Sequence, residues 1–399
     1  MTRNSDPVID WDAYIALRRD IHRHPELGFE EFRTARMVAD RLRTLGYDVA
    51  EGIAGTGVVG TLRHGDSGRS IGLRADMDAL PIQESNRIEW ASQVPGTMHA
   101  CGHDGHTAIL LAAAEIIARR RNFDGTVHLI FQPAEELGGG GGARRMIEEG
   151  LFERFPCDAV FALHNMPGWP TGKFLFRAGA MMASSDRVVI TFTGRGGHAA
   201  VPHRAVDPTV AAASAIMALQ TIVSRNIDPL DSVVISIGKL EAGATYNVIP
   251  GSARLELSVR AFSPEIRDEL EARIRRICTL QAESYGATAE VDYQRGYPML
   301  INTADETGVA IDVARRIFGA ENVQAETEPL MGSEDFAYML QERPGCYLLV
   351  GNGMIGELDP GSGLTHCMVH NPGYDFNDAC LAPAATFWSE LTAQWLAPR

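Results

Sequence analysis

The sequence predicts an α/β protein, a mostly parallel sheet interrupted by a smaller inserted domain of ferredoxin-like order, and three observations carry that prediction. Helical periods alternate with short β-rich runs up to residue 184, the pattern of a parallel sheet with crossover helices. From about residue 185 the order becomes β-α-β-β-α-β, a ferredoxin-like arrangement. After Tyr297 the first alternation resumes, which makes the smaller unit an insertion. A chain of 399 residues is past the size at which a single core stops growing. Two domains are therefore expected, one formed by 1–184 and 295–399 and the other by 185–294.

Taken in order, helices are expected over 11–23 and 30–45, strands over 58–63 and 71–74, a helix over 107–119, and strands over 127–131 and 159–163. In such sheets ligands lie beyond the carboxyl ends of the strands. Asp76, Glu135 and His164 each fall near a strand end, so the polar groups gather on one edge. The insert reads as strand 187–193, helix 208–225, strands 232–240 and 253–262, helix 264–285 and strand 288–293. Its helices open with Asp207-Pro208 and Ser263-Pro264, each a capping residue followed by proline at the first helical position. A helix over 305–318, a strand over 346–350 and a helix over 378–395 complete the first domain. The first insert helix, from Thr209 to Val223, is apolar nearly all round. That fits either a deeply buried helix or a second buried face at a subunit interface.

Thirty-six basic against 51 acidic residues give a formal net charge of -15. This balance disfavours a surface made for nucleic acid or anionic lipid. The opening MTRNSDPVIDWDAY has no apolar core after Arg3, and no run approaches the roughly 18 apolar residues of a spanning helix. The expected location is the cytoplasm. Cys101, Cys157, Cys278, Cys346, Cys367 and Cys380 are too scattered for a disulfide scaffold. Five suit packing, and Cys101 stands apart by its context.

That context is Met98-His99-Ala100-Cys101-Gly102-His103-Asp104-Gly105-His106, which sets a thiol, three imidazoles and a carboxylate among glycines. No core-packing rule requires such a set. Cys101 and His103 in a loop leading into a helix can face one ion, with Gly102 and Gly105 letting the backbone bend close. Glu135 and Glu136 follow an apolar strand, where adjacent carboxylates are costly unless a cation or proton relieves them. At a strand end the two point apart, so one can bind metal while the other faces water or substrate. His164 and His370 complete a divalent-metal site drawn from distant parts of the chain. A thiolate can bridge two ions about 3.5–4 Å apart, the spacing of two-metal hydrolytic sites. Asp76 and Asp78 are expected to orient the imidazoles from behind, as ligand-supporting carboxylates do. His99 and His106 stay open between that role and plain structure. The Gly138 to Gly142 run lacks the context of a nucleotide loop and reads as a flexible entry to the next helix.

At these residues the chain resembles the co-catalytic metallo-amidohydrolases that include hippurate hydrolases, bacterial aminoacylases and plant auxin-conjugate hydrolases. The motifs that carry the resemblance are RADMDALP at 74–81, MHACGHDGH at 98–106, FQPAEE at 131–136, LHN at 163–165, GRGGHAAVPH at 194–203, NVIPG at 247–251 and MGSEDFAYM at 331–339. The resemblance implies Cys101, His103, Glu136, His164 and His370 as ligands and Glu135 as general base and acid. It also implies that the insert is a lid and dimerisation domain. His198 would reach a partner's active site to stabilise the oxyanion, assisted by Asn247, and Arg260 would clamp a substrate carboxylate. No role is assigned to Glu334.

The reaction expected is hydrolysis of N-acyl amino acids, hippurate-like or N-acetyl, to a carboxylic acid and an amino acid. The close rival is a metallo-exopeptidase, either a carboxypeptidase or a dipeptidase. Two other readings differ in kind: Cys101 as a metal-free nucleophile with His103 as its base, and a catalytically dead scaffold. Two divalent ions are expected per subunit, Mn²⁺ or Zn²⁺, with Co²⁺ or Ni²⁺ also compatible. The assembly expected is a homodimer or homotetramer.

Overall fold

The structure, a computed structural model, describes residues 7–398. They form two compact units. The first holds the described residues up to Met181 together with Ile301–Glu328 and those from Asp335 onward; the second holds Met182–Leu300 and Pro329–Glu334. The short segment joins the second unit because the Ala183 N–H donates to the carbonyls of Leu330 and Gly332. That pairing is long-range and has no local signal.

The first unit is built on an eight-stranded sheet. From one edge its strands run Asp48–Ile53, Gly57–His64, Gly125–Gln132, Ser70–Asp76, Val160–Met166, Gly345–Gly351, Phe174–Leu175 and Val323–Gln324. The four central strands are parallel to one another. Antiparallel pairs lie to either side. Asp48–Ile53 and Gly57–His64 are joined by a connection too short for a crossover, which leaves a hairpin as the available geometry. The first of these strands has no counterpart in the sequence reading, because it is an edge strand with exposed Asp48, Glu51 and Gly52 and shows no apolar alternation.

Helix His103–Arg120 is buried along nearly its whole length. It packs against helices Trp11–Arg23 and Leu381–Trp395. Each fully buried leucine or isoleucine here, such as Ile109, Leu110 and Leu111, contributes roughly 1.5–3 kcal/mol. The helix begins at His103, four residues before the expected start. Gly102, in the left-handed region, turns the chain there, and Asp104 lies in the first turn, where a carboxylate meets the positive end of the helix dipole.

The second unit has a four-stranded antiparallel sheet in the order Val234–Ala242, Ser252–Arg260, Asp186–Thr193, Thr288–Arg295. Helices Pro208–Thr221 and Pro264–Ser284 pack against each other. Asp207 and Ser263 cap them through the N–H groups of Thr209 and Ile266. The first helix ends at Thr221 and passes into a π-turn over Ile222–Asn226. Its buried face is Pro208, Ala211, Ala212, Ala215 and Leu219. Within this unit Met217 is 71% exposed and Val210 48%, so a second apolar face remains open.

Candidate metal centre

Parallel strands bring the first unit's polar residues to one edge. Asp76 ends strand Ser70–Asp76, and His164 lies in the neighbouring strand Val160–Met166. Strand Gly125–Gln132 lies on the other side of Ser70–Asp76 and leads into the short turn Glu135–Leu137. The two glutamates thus leave the chain from a turn rather than from a strand end, and instead of pointing apart they bring carboxylate oxygens within 4.8 Å of each other. Ala134, with φ +55° and ψ +45°, swings the chain into it.

Cys101 and His103 flank Gly102, whose φ is +98°. A Cβ there would lie 2.2 Å from Asn165 Oδ1, so both the backbone conformation and the space require glycine. Gly105 serves a different purpose from the expected bend. It sits inside the helix, and a Cβ would meet the Phe376 ring at 2.3 Å.

The ligand atoms of Cys101, His103 and His164 lie within 4.8 Å of one another, and so do those of Cys101, Glu136 and His370. Cys101 belongs to both groups. Its Sγ is 3.3 Å from His164 Nε2, while His370 Nε2 is 3.2 Å from Glu136 Oε1. His370 adopts φ +65° and its N–H donates to the Ala100 carbonyl at 2.7 Å. That bond ties a remote loop to the Cys101 segment. Glu135 is buried, and it forms a further close group with His103 and Glu136.

The donor set fits divalent cations. His103 Nε2 is buried without a hydrogen-bond partner, a costly state for a polar atom unless something satisfies it. Burial raises the Cys101 thiol well above its ordinary pKa, and the negative Glu136, Glu135 and Asp76 push it further. Burial also favours a neutral His103, but Asp76, Asp78 and Glu136 outweigh it and hold the imidazole at about 10. Excess negative charge around a thiol is what a bound cation would relieve.

Carboxylates and amides behind the cluster fix its rings. His103 Nδ1 faces Asp78 Oδ1 at 3.2 Å, and His164 Nδ1 faces the Asn165 carbonyl at 2.6 Å. Each leaves Nε2 toward the cluster. His106 is engaged at both nitrogens, by Asp76 at 2.6 Å and by Asn165 Oδ1 at 2.7 Å. It is therefore a bridge between strands. His99 is buried with neither nitrogen bonded, and burial pushes it down to about 3.

Sequence reasoning missed the next layer. Buried Arg74 binds Asp76, Gln132 and Asp335, and Asn165 donates to the Tyr374 hydroxyl at 2.6 Å. His22 Nδ1 lies 2.8 Å from Asp104, which Arg18 also reaches. Little local marks these residues, since apart from Asp76, two positions from Arg74, each partner is tens to hundreds of positions away.

The other expected residues belong to the second unit. His198 lies on a two-stranded ribbon opposite Val248, and the Ala199 N–H donates to the carbonyl of Asn247. Arg260 ends strand Ser252–Arg260, and its Nη1 is buried without a partner. Glu334 is buried.

A family model for Peptidase family M20/M25/M40 matches residues 72–394. Hippurate hydrolase of Campylobacter jejuni is 45% identical over 95% of this chain and 96% of that protein. Thermostable carboxypeptidase 2 of Saccharolobus solfataricus is 40% identical over 86% of each. Among solved structures, a dinuclear metal-binding peptidase of the M20 family from Bacillus subtilis superposes with a TM-score of 0.82 at 33% identity, covering 97% of this chain and 98% of that one.

Proposed function

Because the chain belongs to peptidase family M20/M25/M40 and is a metal-dependent amidohydrolase using divalent metal, we propose that it hydrolyses N-acylated amino acids to a carboxylic acid and a free amino acid. The supporting observation is the two-lobed cluster sharing Cys101, with Glu135 grouped beside it. The similarity to a hippurate hydrolase favours an aromatic acyl group such as benzoyl, with N-acetyl substrates in the same class.

Cys101, His103 and His164 would hold one ion, and Cys101, Glu136 and His370 the other. The thiolate and imidazoles suit Zn²⁺, and the mixed set equally suits Mn²⁺, Co²⁺ or Ni²⁺. Ions bound there supply Lewis acidity, polarising the amide carbonyl and acidifying water. Glu135 takes the proton of the attacking water and returns it to the leaving nitrogen. Asp76 and Asp78 hold the imidazoles in place. His198, contributed by a second copy of the chain, and Asn247 donate to the oxyanion. Arg260 binds the substrate carboxylate, a role favoured by its unsatisfied Nη1.

The open apolar face with Val210 and Met217 supports a homodimer, or a homotetramer built from dimers. Among the described residues no helix is long and apolar enough to cross a membrane. The six free thiols fit a reducing compartment, the cytoplasm.

Exopeptidase action is the second reading, favoured by the similarity to a carboxypeptidase. Cys101 as nucleophile with His103 as its base finds no support, since the imidazole nitrogen beside its sulfur belongs to His164.

The test is amino acid release from benzoyl-glycine, N-acetyl amino acids and dipeptides by chelator-stripped protein, with and without Mn²⁺ or Zn²⁺. Metal-dependent release from acylated amino acids is expected. Faster turnover of dipeptides, or turnover without metal, would overturn the proposal.

A further inference from the structure

Glu31 is a fully buried carboxylate with no part in the cluster just described. It sits at the N-cap of helix Phe32–Thr44 without capping it. Glu26 does that work instead, accepting the N–H groups of Arg33 at 2.8 Å and Thr34 at 2.9 Å. Released from the helix, the Glu31 side chain turns inward. Oε2 accepts the Thr56 hydroxyl at 2.5 Å, and Oε1 accepts the Ala134 N–H at 2.8 Å.

Ala134 is a non-glycine residue in the left-handed region, a conformation that costs about 1–2 kcal/mol and persists only when surroundings impose it. Two backbone bonds impose it here. Glu31 holds the N–H, and the Ala134 carbonyl accepts the Gly142 N–H at 3.0 Å. Beyond the turn, the Glu136 N–H is held separately by Asp78 at 2.9 Å. Glu135 therefore leaves the chain between two anchors, and Glu31 is the one that fixes the strained side.

We propose that Glu31 is a positioning residue for the proton-transferring Glu135, acting through the backbone of Ala134. The inference rests on the role given to Glu135 above. Its mechanism is geometric: Glu31 sets the direction of the Glu135 side chain, and Asp78 independently keeps Glu136 in place for metal. Loss of Glu31 then lowers the rate of proton transfer while substrate and metal still bind. A glutamine keeps the tether, since its carbonyl can accept the Ala134 N–H and its amide can donate to the Thr56 oxygen. An aspartate, one methylene shorter, cannot span both partners.

The experiment compares wild type, Glu31→Ala, Glu31→Asp and Glu31→Gln as metal-reconstituted full-length protein. It reads kcat and KM on benzoyl-glycine, bound metal, and hydrogen exchange in a peptide covering 131–137. For Glu31→Ala and Glu31→Asp, kcat is expected to fall about 10–100-fold, the cost of a displacement near 1 Å in a catalytic group. KM and metal content stay near wild type, exchange around Ala134 speeds up, and Glu31→Gln recovers most of kcat. Unchanged kcat in the alanine and aspartate variants overturns the proposal. So does a loss that excess metal restores, or a glutamine variant no better than alanine. If Glu31→Ala fails to fold, the aspartate and glutamine variants decide. If wild type turns over no acylated amino acid, the substrate reading fails and exchange at Ala134 decides for Glu31: faster exchange supports the tether, and unchanged exchange overturns it.

Discussion

Asp78 Oδ1 lies 3.2 Å from His103 Nδ1, and that contact decides which nitrogen of the ring is left for the cluster. The other oxygen of the same carboxylate accepts the Glu136 N–H at 2.9 Å, so one side chain aligns a residue from each lobe. Asp78→Asn weakens the alignment of both. Metal affinity should fall about 10–100-fold, the range for lost supporting contacts, when measured by competition with a chromophoric chelator. An unchanged affinity would remove Asp78 from the site's support.

Glu135→Gln keeps shape and removes the proposed base. Turnover of benzoyl-glycine should drop by about 10²–10⁴-fold with metal content unaltered by elemental analysis. Comparable turnover would transfer the proton step to another group.

His370 and His106 separate the ligands from the scaffold. His370 belongs only to the group with Cys101 and Glu136, so His370→Ala should lose one of the two ions and retain the other. His106 is bonded at both nitrogens, so His106→Gln should keep both ions and lower the melting temperature. Metal stoichiometry of the two purified variants checks this, and loss of an ion from His106→Gln would make it a ligand.

Gly102→Ala places a methyl 2.2 Å from Asn165 Oδ1 at a φ of +98°. Backbone strain alone should cost about 1–2 kcal/mol, and the clash displaces the Cys101–His103 corner. A lower denaturant midpoint together with weakened metal binding is expected. Wild-type values for both would mean that the corner relaxes freely.

His22 gives stability a pH dependence. Burial pulls its pKa down, but Asp104 and Glu84 prevail and raise it to about 9. Because the folded pKa exceeds the unfolded one, this contribution is complete below about pH 6.5 and is lost as pH rises through 9. At roughly 1.4 kcal/mol per pKa unit the loss is at most about 3.5 kcal/mol. Urea midpoints of wild type should decline between pH 6.5 and 9, and those of His22→Gln should decline less. Parallel declines would place the effect elsewhere.

Elements whose signals are local could be read from the chain alone. Asp207-Pro208 and Ser263-Pro264 announced two helix starts because capping and proline's fixed φ act within three residues. The candidate site residues Cys101, His103, Glu135, Glu136, His164 and His370 stood out because polar and charged groups beside apolar strands are costly without a cation. Folding supplied what depends on contacts across the chain. It paired Asp48–Ile53 as an edge strand, set the Glu135 turn on a left-handed Ala134, engaged both nitrogens of His106, and brought Glu31 across 103 positions to the Ala134 N–H. A side chain's partner is chosen by which strands and helices become neighbours, and that choice belongs to the packed core and to no short stretch of sequence.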